Sequence, residues 1–108
     1  MKIFITGVAG FLGSHLADLM ISEGHSVAGN DNMIGGYTDN VPQDVEFHQV
    51  DCCDLENMTM AMEGCDIVYH TAATAYEGLS VFSPVLVTRN IFEASVTTIT
   101  AAIRNKVK

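Results

Sequence analysis

Three evenly spaced glycines join the first strand-like segment of this chain to its first helical segment. Gly7, Gly10 and Gly13 follow directly after the β-rich run Lys2–Thr6. In a strand–turn–helix unit the first glycine allows the tight turn, the second lets the backbone approach a pyrophosphate, and the third permits close helix–strand packing. The helix N-terminus then offers free N–H groups and the positive end of its dipole to an anion. The spacing therefore predicts a phosphate-binding turn at the start of an α/β fold.

Strand-like and helical segments alternate along the rest of the chain. Further strands are predicted at 26–29, 45–50 and 66–71, and helices at 12–22, 55–63 and 83–105. Alternation of this kind predicts a parallel, doubly wound α/β sheet with helices on both faces. We expect strand order 3-2-1-4 in a single Rossmann unit spanning 1–108. Helical spacing assigns packing stripes to the first and last helices, namely Leu12, Leu16, Leu19 and Met20, and Val87, Ile91, Ala94, Thr98, Ala101 and Ala102.

The charge of the chain is acidic and unevenly distributed. The formal net charge is −8, and Lys2 is the only basic residue before Arg89. Nucleic-acid backbones are held by clustered Lys and Arg, so we expect no nucleic-acid partner. A phosphate bound by the first eighty residues must therefore be held mainly by backbone N–H groups.

Several other kinds of site and location are not indicated. No apolar run approaches the roughly 20 residues that span a bilayer, and the N-terminus does not resemble a secretory signal, so we expect a cytoplasmic protein without membrane contact. The three cysteines have neither disulfide nor zinc spacing, and we predict free thiols and no metal site. His70, in the strand predicted at 66–71, is expected to be a buried, hydrogen-bonded core histidine rather than a catalytic base.

Asp31 follows the second predicted strand, 18 residues after Gly13. An acidic side chain at this place accepts hydrogen bonds from the adenosine ribose hydroxyls and repels the extra phosphate of NADP. No Arg stands nearby to attract that phosphate. The pattern favours NAD over NADP, although an ordinary acidic loop residue remains the alternative interpretation.

Four segments of the chain resemble those of the extended short-chain dehydrogenase/reductases, in particular the NAD-dependent epimerase/dehydratase family that acts on nucleotide sugars. They are TGVAGFLGSHL at 6–16, Asp31-Asn32 with Gly35-Gly36, VDCCDL at 50–55, and DIVYHTAA at 66–73. The resemblance implies that Phe11 and Leu12 donate backbone N–H groups to the pyrophosphate. It implies that Asp31, Asn32 and the loop to Gly36 hold the ribose.

The same resemblance implies roles for the second half of the chain. Asp51 is expected to accept from the adenine amino group, with Cys52 packed beside the ring. Thr71, Ala72 and Ala73, with the loop through Ala75, are expected to line the path toward the nicotinamide.

The chain departs from the family pattern in two respects. The family's Pro-x-x-Tyr-x-x-x-Asn pattern is altered, because Val87 replaces the Tyr and Asn90 comes one position early; Asn90 is still predicted to be the equivalent cofactor-binding residue. No tyrosine is followed four residues later by Lys, so the family's Tyr-x-x-x-Lys pair is absent. We therefore predict no catalytic residue here, expect the chain alone to be inactive, and expect the catalytic half beyond Lys108.

Three functions remain open on these grounds. The first is the NAD-binding part of a nucleotide-sugar epimerase or dehydratase, which oxidises a sugar hydroxyl transiently with bound NAD. The second is a stand-alone NAD-binding or redox-sensing module, completed by a partner or by a homodimer through the helix at 83–105 or the exposed sheet edge. The third is an α/β domain that binds no dinucleotide, which leaves Asp31 and Asp51 unexplained.

Overall fold

Four parallel strands form one sheet in the order β3-β2-β1-β4. The computed structural model describes all residues, 1–108. The strands are Lys2–Thr6 (β1), Ser26–Asp31 (β2), Val45–Gln49 (β3) and Ile67–His70 (β4). The predicted parallel sheet and its strand order are confirmed. β2 is two residues longer than predicted, because Asn30 and Asp31 also pair with β3.

The central strand β1 brings the carboxyl ends of its neighbours together. Thr6 lies opposite Asn30 of β2 and His70 of β4. From Ile3 to Thr6 no residue of β1 is more than 1% exposed, as expected for a strand covered on both faces. The segments that follow these three strands therefore open onto the same end of the sheet.

Helices cover both faces of the sheet. They are α1 (Phe11–Ser22), α2 (Leu55–Ala61), α3 (Leu79–Phe82), α4 (Pro84–Thr88) and α5 (Ala94–Arg104), and one 3-10 turn lies at Thr38–Asn40. Ile3 and Ile5 of β1 belong to an apolar cluster with Ala17 of α1. Phe4 belongs to a second cluster, with Met58 of α2 and Ala101 of α5. The alternation along β1 thus places α1 on one face and α2 with α5 on the other. None of the helices is long and apolar enough to cross a membrane.

The packing stripe predicted for α1 is only half correct: Leu16 and Met20 are partly buried against the cluster of Ile3 and Ile5, whereas Leu12 and Leu19 are exposed. Leu12 and Leu19 are 63% and 51% exposed, and the buried residues of the helix are Gly13, Ser14 and Ala17. The close approach of α1 to the glycine turn at Gly13 leaves no room for a side chain at that contact, so the fully buried residues near it are small.

The last helical stretch is not the continuous α-helix that was predicted. A π-helical turn at Arg89–Glu93 separates α4 from α5. Ala94, Thr98 and Ala101 are buried as predicted, whereas Ile91 is 42% exposed. A π turn has a different number of residues per turn, so an apolar spacing read for a regular helix does not continue through it.

Candidate functional site

A groove of about 530 Å³ lies at the carboxyl ends of the strands. All sixteen residues predicted to bind a cofactor line it: Gly7, Gly10, Phe11, Leu12, Gly13, Asp31, Asn32, Gly35, Gly36, Asp51, Cys52, Thr71, Ala72, Ala73, Ala75 and Asn90. The sequence reasoning missed seven others: Asn30, Ile34, Thr74, Tyr76, Leu79, Leu86 and Ala94. Asn30 adjoins Asp31 on β2 and could have been found from that position. The others carry no sequence signal apart from lying near predicted residues.

The glycine turn is built so closely that side chains are excluded. A Cβ on Gly13 would lie 2.2 Å from the carbonyl oxygen of Gly7. Gly7 has φ +69°, and a Cβ there would lie 2.9 Å from Cα of Ala72. The turn therefore packs against both α1 and the segment after β4, and its backbone forms the floor of the groove.

Most backbone N–H groups of the turn are already bonded within the protein. Those of Gly7 and Val8 donate to the carbonyl of Asn30 at 2.8 and 3.1 Å, and that of Gly10 donates to the carbonyl of Gly7 at 3.0 Å. The N–H of Ala9 donates to Oδ2 of Asp31 at 3.1 Å. None of these four donors is free for an anion.

The first three N–H groups of α1 have no partner. Phe11, Leu12 and Gly13 precede the first intrahelical bond, which runs from Ser14 N–H to the carbonyl of Gly10 at 3.1 Å. Gly10, the N-cap, offers no side chain to satisfy them. The groove is thus lined by three unpaired donors at the positive end of a helix dipole, which is an anion site made from backbone alone.

Asp31 is the acidic group at the other side of the turn. It is 7% exposed, and its Oδ1 accepts from the N–H of Met33 at 2.9 Å while Oδ2 accepts from Ala9. A carboxylate has about four acceptor positions, so two remain for a ligand. Gly36 lies against it, since a Cβ there would be 3.1 Å from Oδ1.

The loop after β2 is fastened to the glycine turn through one carbonyl. The oxygen of Ala9 accepts from the N–H of Tyr37 at 3.2 Å and from Nδ2 of Asn40 at 3.1 Å. Asn32 closes an Asx turn by accepting from the N–H of Ile34 at 3.0 Å. These bonds place the loop along the rim of the groove beside Asp31.

Asp51 faces the groove from the end of β3. Burial raises the pKa of its carboxyl, but the N–H of Cys53 and the Arg89 guanidinium outweigh burial, so the pKa is lowered overall. The carboxylate form is therefore present at neutral pH. Cys52 beside it is buried, and its sulfur accepts from Nδ2 of Asn30 at 3.3 Å.

The segment after β4 forms the remaining wall. Thr6 Oγ1 accepts from the N–H groups of Thr71 and Ala72 at 3.0 and 3.1 Å, which holds this segment against β1. Asn90, in the π turn, donates from Nδ2 to Oγ1 of Thr74 at 3.0 Å. The structure therefore brings Asn90 into the groove despite its early place in the sequence.

The prediction that His70 is buried is wrong. β4 is an edge strand, and His70 is exposed there. Both ring nitrogens are nevertheless bonded, Nδ1 to Thr6 Oγ1 at 2.8 Å and Nε2 to Ser95 Oγ at 3.1 Å. Neighbouring protein atoms partly exclude water from the ring, which lowers its pKa.

Comparisons with known proteins agree with this fold. The NAD dependent epimerase/dehydratase family model matches residues 3–108. The structure of UDP-glucose 4-epimerase from Thermotoga maritima with UDP-glucose is similar at a TM-score of 0.96 and 31% identity, over 100% of this chain and 36% of that chain. UDP-glucose 4-epimerase from Thermus thermophilus in complex with NAD gives 0.93 and 33%, over 100% and 35%.

A curated relative gives the same result at the level of sequence. UDP-glucose 4-epimerase from Corynebacterium glutamicum is 34% identical over 84 residues, which cover 78% of this chain and 26% of that protein. The chain thus spans about a third or less of the length of these relatives. Because the family match extends over nearly every residue, from the first strand to the last helix, the chain belongs to the NAD dependent epimerase/dehydratase family.

Proposed function

We propose that this chain binds NAD as the cofactor-binding part of a nucleotide-sugar epimerase or dehydratase. The observation that carries the proposal is that one groove contains both the Asp31 carboxylate and the three unpaired N–H groups at the start of α1. Free donors suit a pyrophosphate, and a carboxylate with acceptor positions left over suits a ribose diol. No Lys or Arg lines the groove, so nothing there favours an additional 2′-phosphate.

The other lining residues fit the remaining parts of the cofactor. Asp51, ionised at neutral pH, is an acceptor for the adenine amino group. Ala72, Ala73 and Ala75 leave space where large side chains would obstruct the nicotinamide half. Bound NAD supplies a hydride acceptor, and the residues of this chain bind and orient it. The names of relatives such as UDP-glucose 4-epimerase support a nucleotide sugar as the substrate class.

Residues 1–108 contain no Tyr-x-x-x-Lys pair of the kind that the family resemblance implies for proton transfer. Tyr37, Tyr69 and Tyr76 are followed four positions later by Val41, Ala73 and Ser80, never by Lys. We therefore assign none of these three tyrosines the proton-transfer role.

The test of NAD binding is calorimetric titration with NAD and NADP, comparing Asp31→Asn with Asp39→Asn. Both substitutions remove one negative charge, but Asp39 lies in the exposed 3-10 turn and outside the groove. Loss of hydrogen bonds to a charged group lowers NAD affinity by about tenfold or more in Asp31→Asn, whereas Asp39→Asn binds like the wild type. Equal NAD affinity in the two variants, or no saturable binding by the wild type, would refute the proposal.

An apolar stripe supports a homodimer as the second part of the proposal. From the end of the π turn along α5, exposed apolar residues recur every three or four positions, as in paired helices. They are Phe92, Val96, Ile99 and Ile103, which are 68%, 49%, 59% and 71% exposed. Exposed apolar surface of this extent on a helix is typical of an interface. A second copy of the chain presents the same stripe and can cover it.

Sedimentation at several concentrations tests this interface. Ile99→Asp is expected to yield a monomer, and Met60→Asp, on the exposed side of α2 at 64% exposure, is the matched control. A wild-type monomer at all concentrations would contradict the dimer.

A further inference from the structure

The hydroxyl of Thr6 stands where the floor and one wall of the groove meet. Thr6 is fully buried at the end of β1 and directly precedes Gly7 of the glycine turn. Its Oγ1 contacts three groups, which are the N–H of Thr71 at 3.0 Å, the N–H of Ala72 at 3.1 Å, and Nδ1 of His70 at 2.8 Å. The same hydroxyl therefore fastens the end of β1 to the segment that follows β4.

The number of donors and acceptors determines where the proton of His70 lies. A hydroxyl has one hydrogen to donate and two lone pairs to accept with. The N–H groups of Thr71 and Ala72 are donors only, and together they use both lone pairs of Thr6 Oγ1. The hydroxyl hydrogen is left for Nδ1 of His70, which must then be unprotonated. The ring is thus neutral, with its proton on Nε2.

The opposite side of the ring continues the same series of bonds. Nε2–H donates to Ser95 Oγ at 3.1 Å, and the Ser95 hydroxyl donates to the carbonyl of Ile91 at 2.6 Å. Ile91 belongs to the π turn and directly follows Asn90. Hydrogen bonds therefore run in one direction from Thr6 through His70 and Ser95 to the turn that carries Asn90.

We propose that His70 is a positioning residue, which in its Nε2–H tautomer couples the floor of the groove at Thr6 to the wall that carries Asn90. The proposal rests on the proposed function in so far as NAD is the molecule positioned. Any other protonation state of the ring breaks the series. A proton on Nδ1 would face the hydroxyl hydrogen of Thr6, which could turn away only by giving up the N–H of Thr71 or Ala72.

The tautomer is tested directly by ¹⁵N NMR of the histidine rings in the purified protein, which needs no cofactor. The expected spectrum at neutral pH shows His70 with Nδ1 unprotonated and Nε2 protonated, and Ser95→Ala shifts the Nε2 signal. A proton on Nδ1, or a doubly protonated ring, would overturn the assignment.

The coupling is tested with Ser95→Ala, which removes the partner of Nε2 together with the hydroxyl's own bond to the carbonyl of Ile91. Ser22→Ala is the matched control, because the exposed Ser22 hydroxyl makes a similar bond to the carbonyl of Leu19, at 2.7 Å, far from the groove. In Ser95→Ala the amides of Thr71 and Ala72 are expected to exchange hydrogen about three- to tenfold faster, and the Kd for NAD to rise by a similar factor. Exchange rates equal to those of Ser22→Ala would refute the coupling. If the wild type shows the expected tautomer and Ser95→Ala shows the faster exchange, but the wild type binds no NAD, only the proposed function is refuted.

Discussion

Replacing Gly13 by Ala tests the packing on which the site depends. The new Cβ would lie 2.2 Å from the oxygen of Gly7, 2.8 Å from its carbonyl carbon and 2.9 Å from Cα of Val8. All three atoms belong to the backbone, so no side chain can rotate to make room. Relief requires α1 to move about 1 Å from the turn, judged against ordinary contact distances of roughly 3.5 Å.

The size of the effect follows from two opposing contributions. Forcing one extra carbon into a packed interior costs about 1–3 kcal/mol, occasionally more, and the contact with rigid backbone favours the upper end. Ala is a better helix former than Gly by about 1 kcal/mol, which offsets part of this cost. We expect the free energy of unfolding to fall by about 2 kcal/mol or more.

Denaturant unfolding followed by circular dichroism measures the change, and Gly78→Ala is the matched control. A Cβ on Gly78 meets nothing within 4 Å, and its φ of −62° suits any residue. That variant is expected to be unchanged or up to about 1 kcal/mol more stable. If Gly13→Ala unfolded at the same denaturant concentration as Gly78→Ala, the argument from close packing would be wrong.

Three further predictions follow from individual contacts. Asn40→Ala removes the side-chain bond to the Ala9 carbonyl at 3.1 Å, so limited proteolysis should cut the loop after β2 faster than in the wild type, with Asp39→Ala as control. Arg89→Met should raise the pKa of Asp51, measured by carboxyl NMR, and an unchanged titration would contradict the ion pair. Because the pKa of Asp51 is lowered in the folded state, its contribution to stability is present above the unfolded-state pKa and is lost as the pH falls through the folded-state pKa. Burial and Asp51 raise the pKa of Cys53 to about 11, so this thiol should resist alkylation at pH 8 until denaturant is added; rapid native labelling would count against it.

The sheet and the groove could be predicted because their sequence signals are local. At Gly7 and Gly13 the backbone of one segment lies so close to that of another that no side chain fits, so only glycine can occupy these positions. Asp31 lies at the end of a parallel strand, where ligands of such sheets bind. Residues predicted from four separate segments therefore meet around one groove. Their role in binding a cofactor remains a prediction for the titrations to decide.

Other features depend on three-dimensional packing and left no such signal. Leu12 and Leu19 have helical spacing, but the helix turns its small residues inward because of the contact at Gly13. No short motif predicts the π turn, which directly precedes the helix that packs on α2. The predicted strand order already placed the strand of His70 at the sheet edge, but how much of the ring α5 covers there depends on packing that the sequence does not reveal.

The carboxylate of Asp31 has consequences for any attempt to redesign the nucleotide preference. Besides the contact with the ribose that we propose for it, this carboxylate accepts hydrogen bonds from the N–H groups of Ala9 and Met33. A designer who substitutes a neutral residue to admit a 2′-phosphate would at the same time deprive two amides of their acceptor and loosen the rim of the groove. A successful change of cofactor therefore needs at least two substitutions. One must introduce a basic side chain for the 2′-phosphate, and another must supply a new acceptor for those two amides.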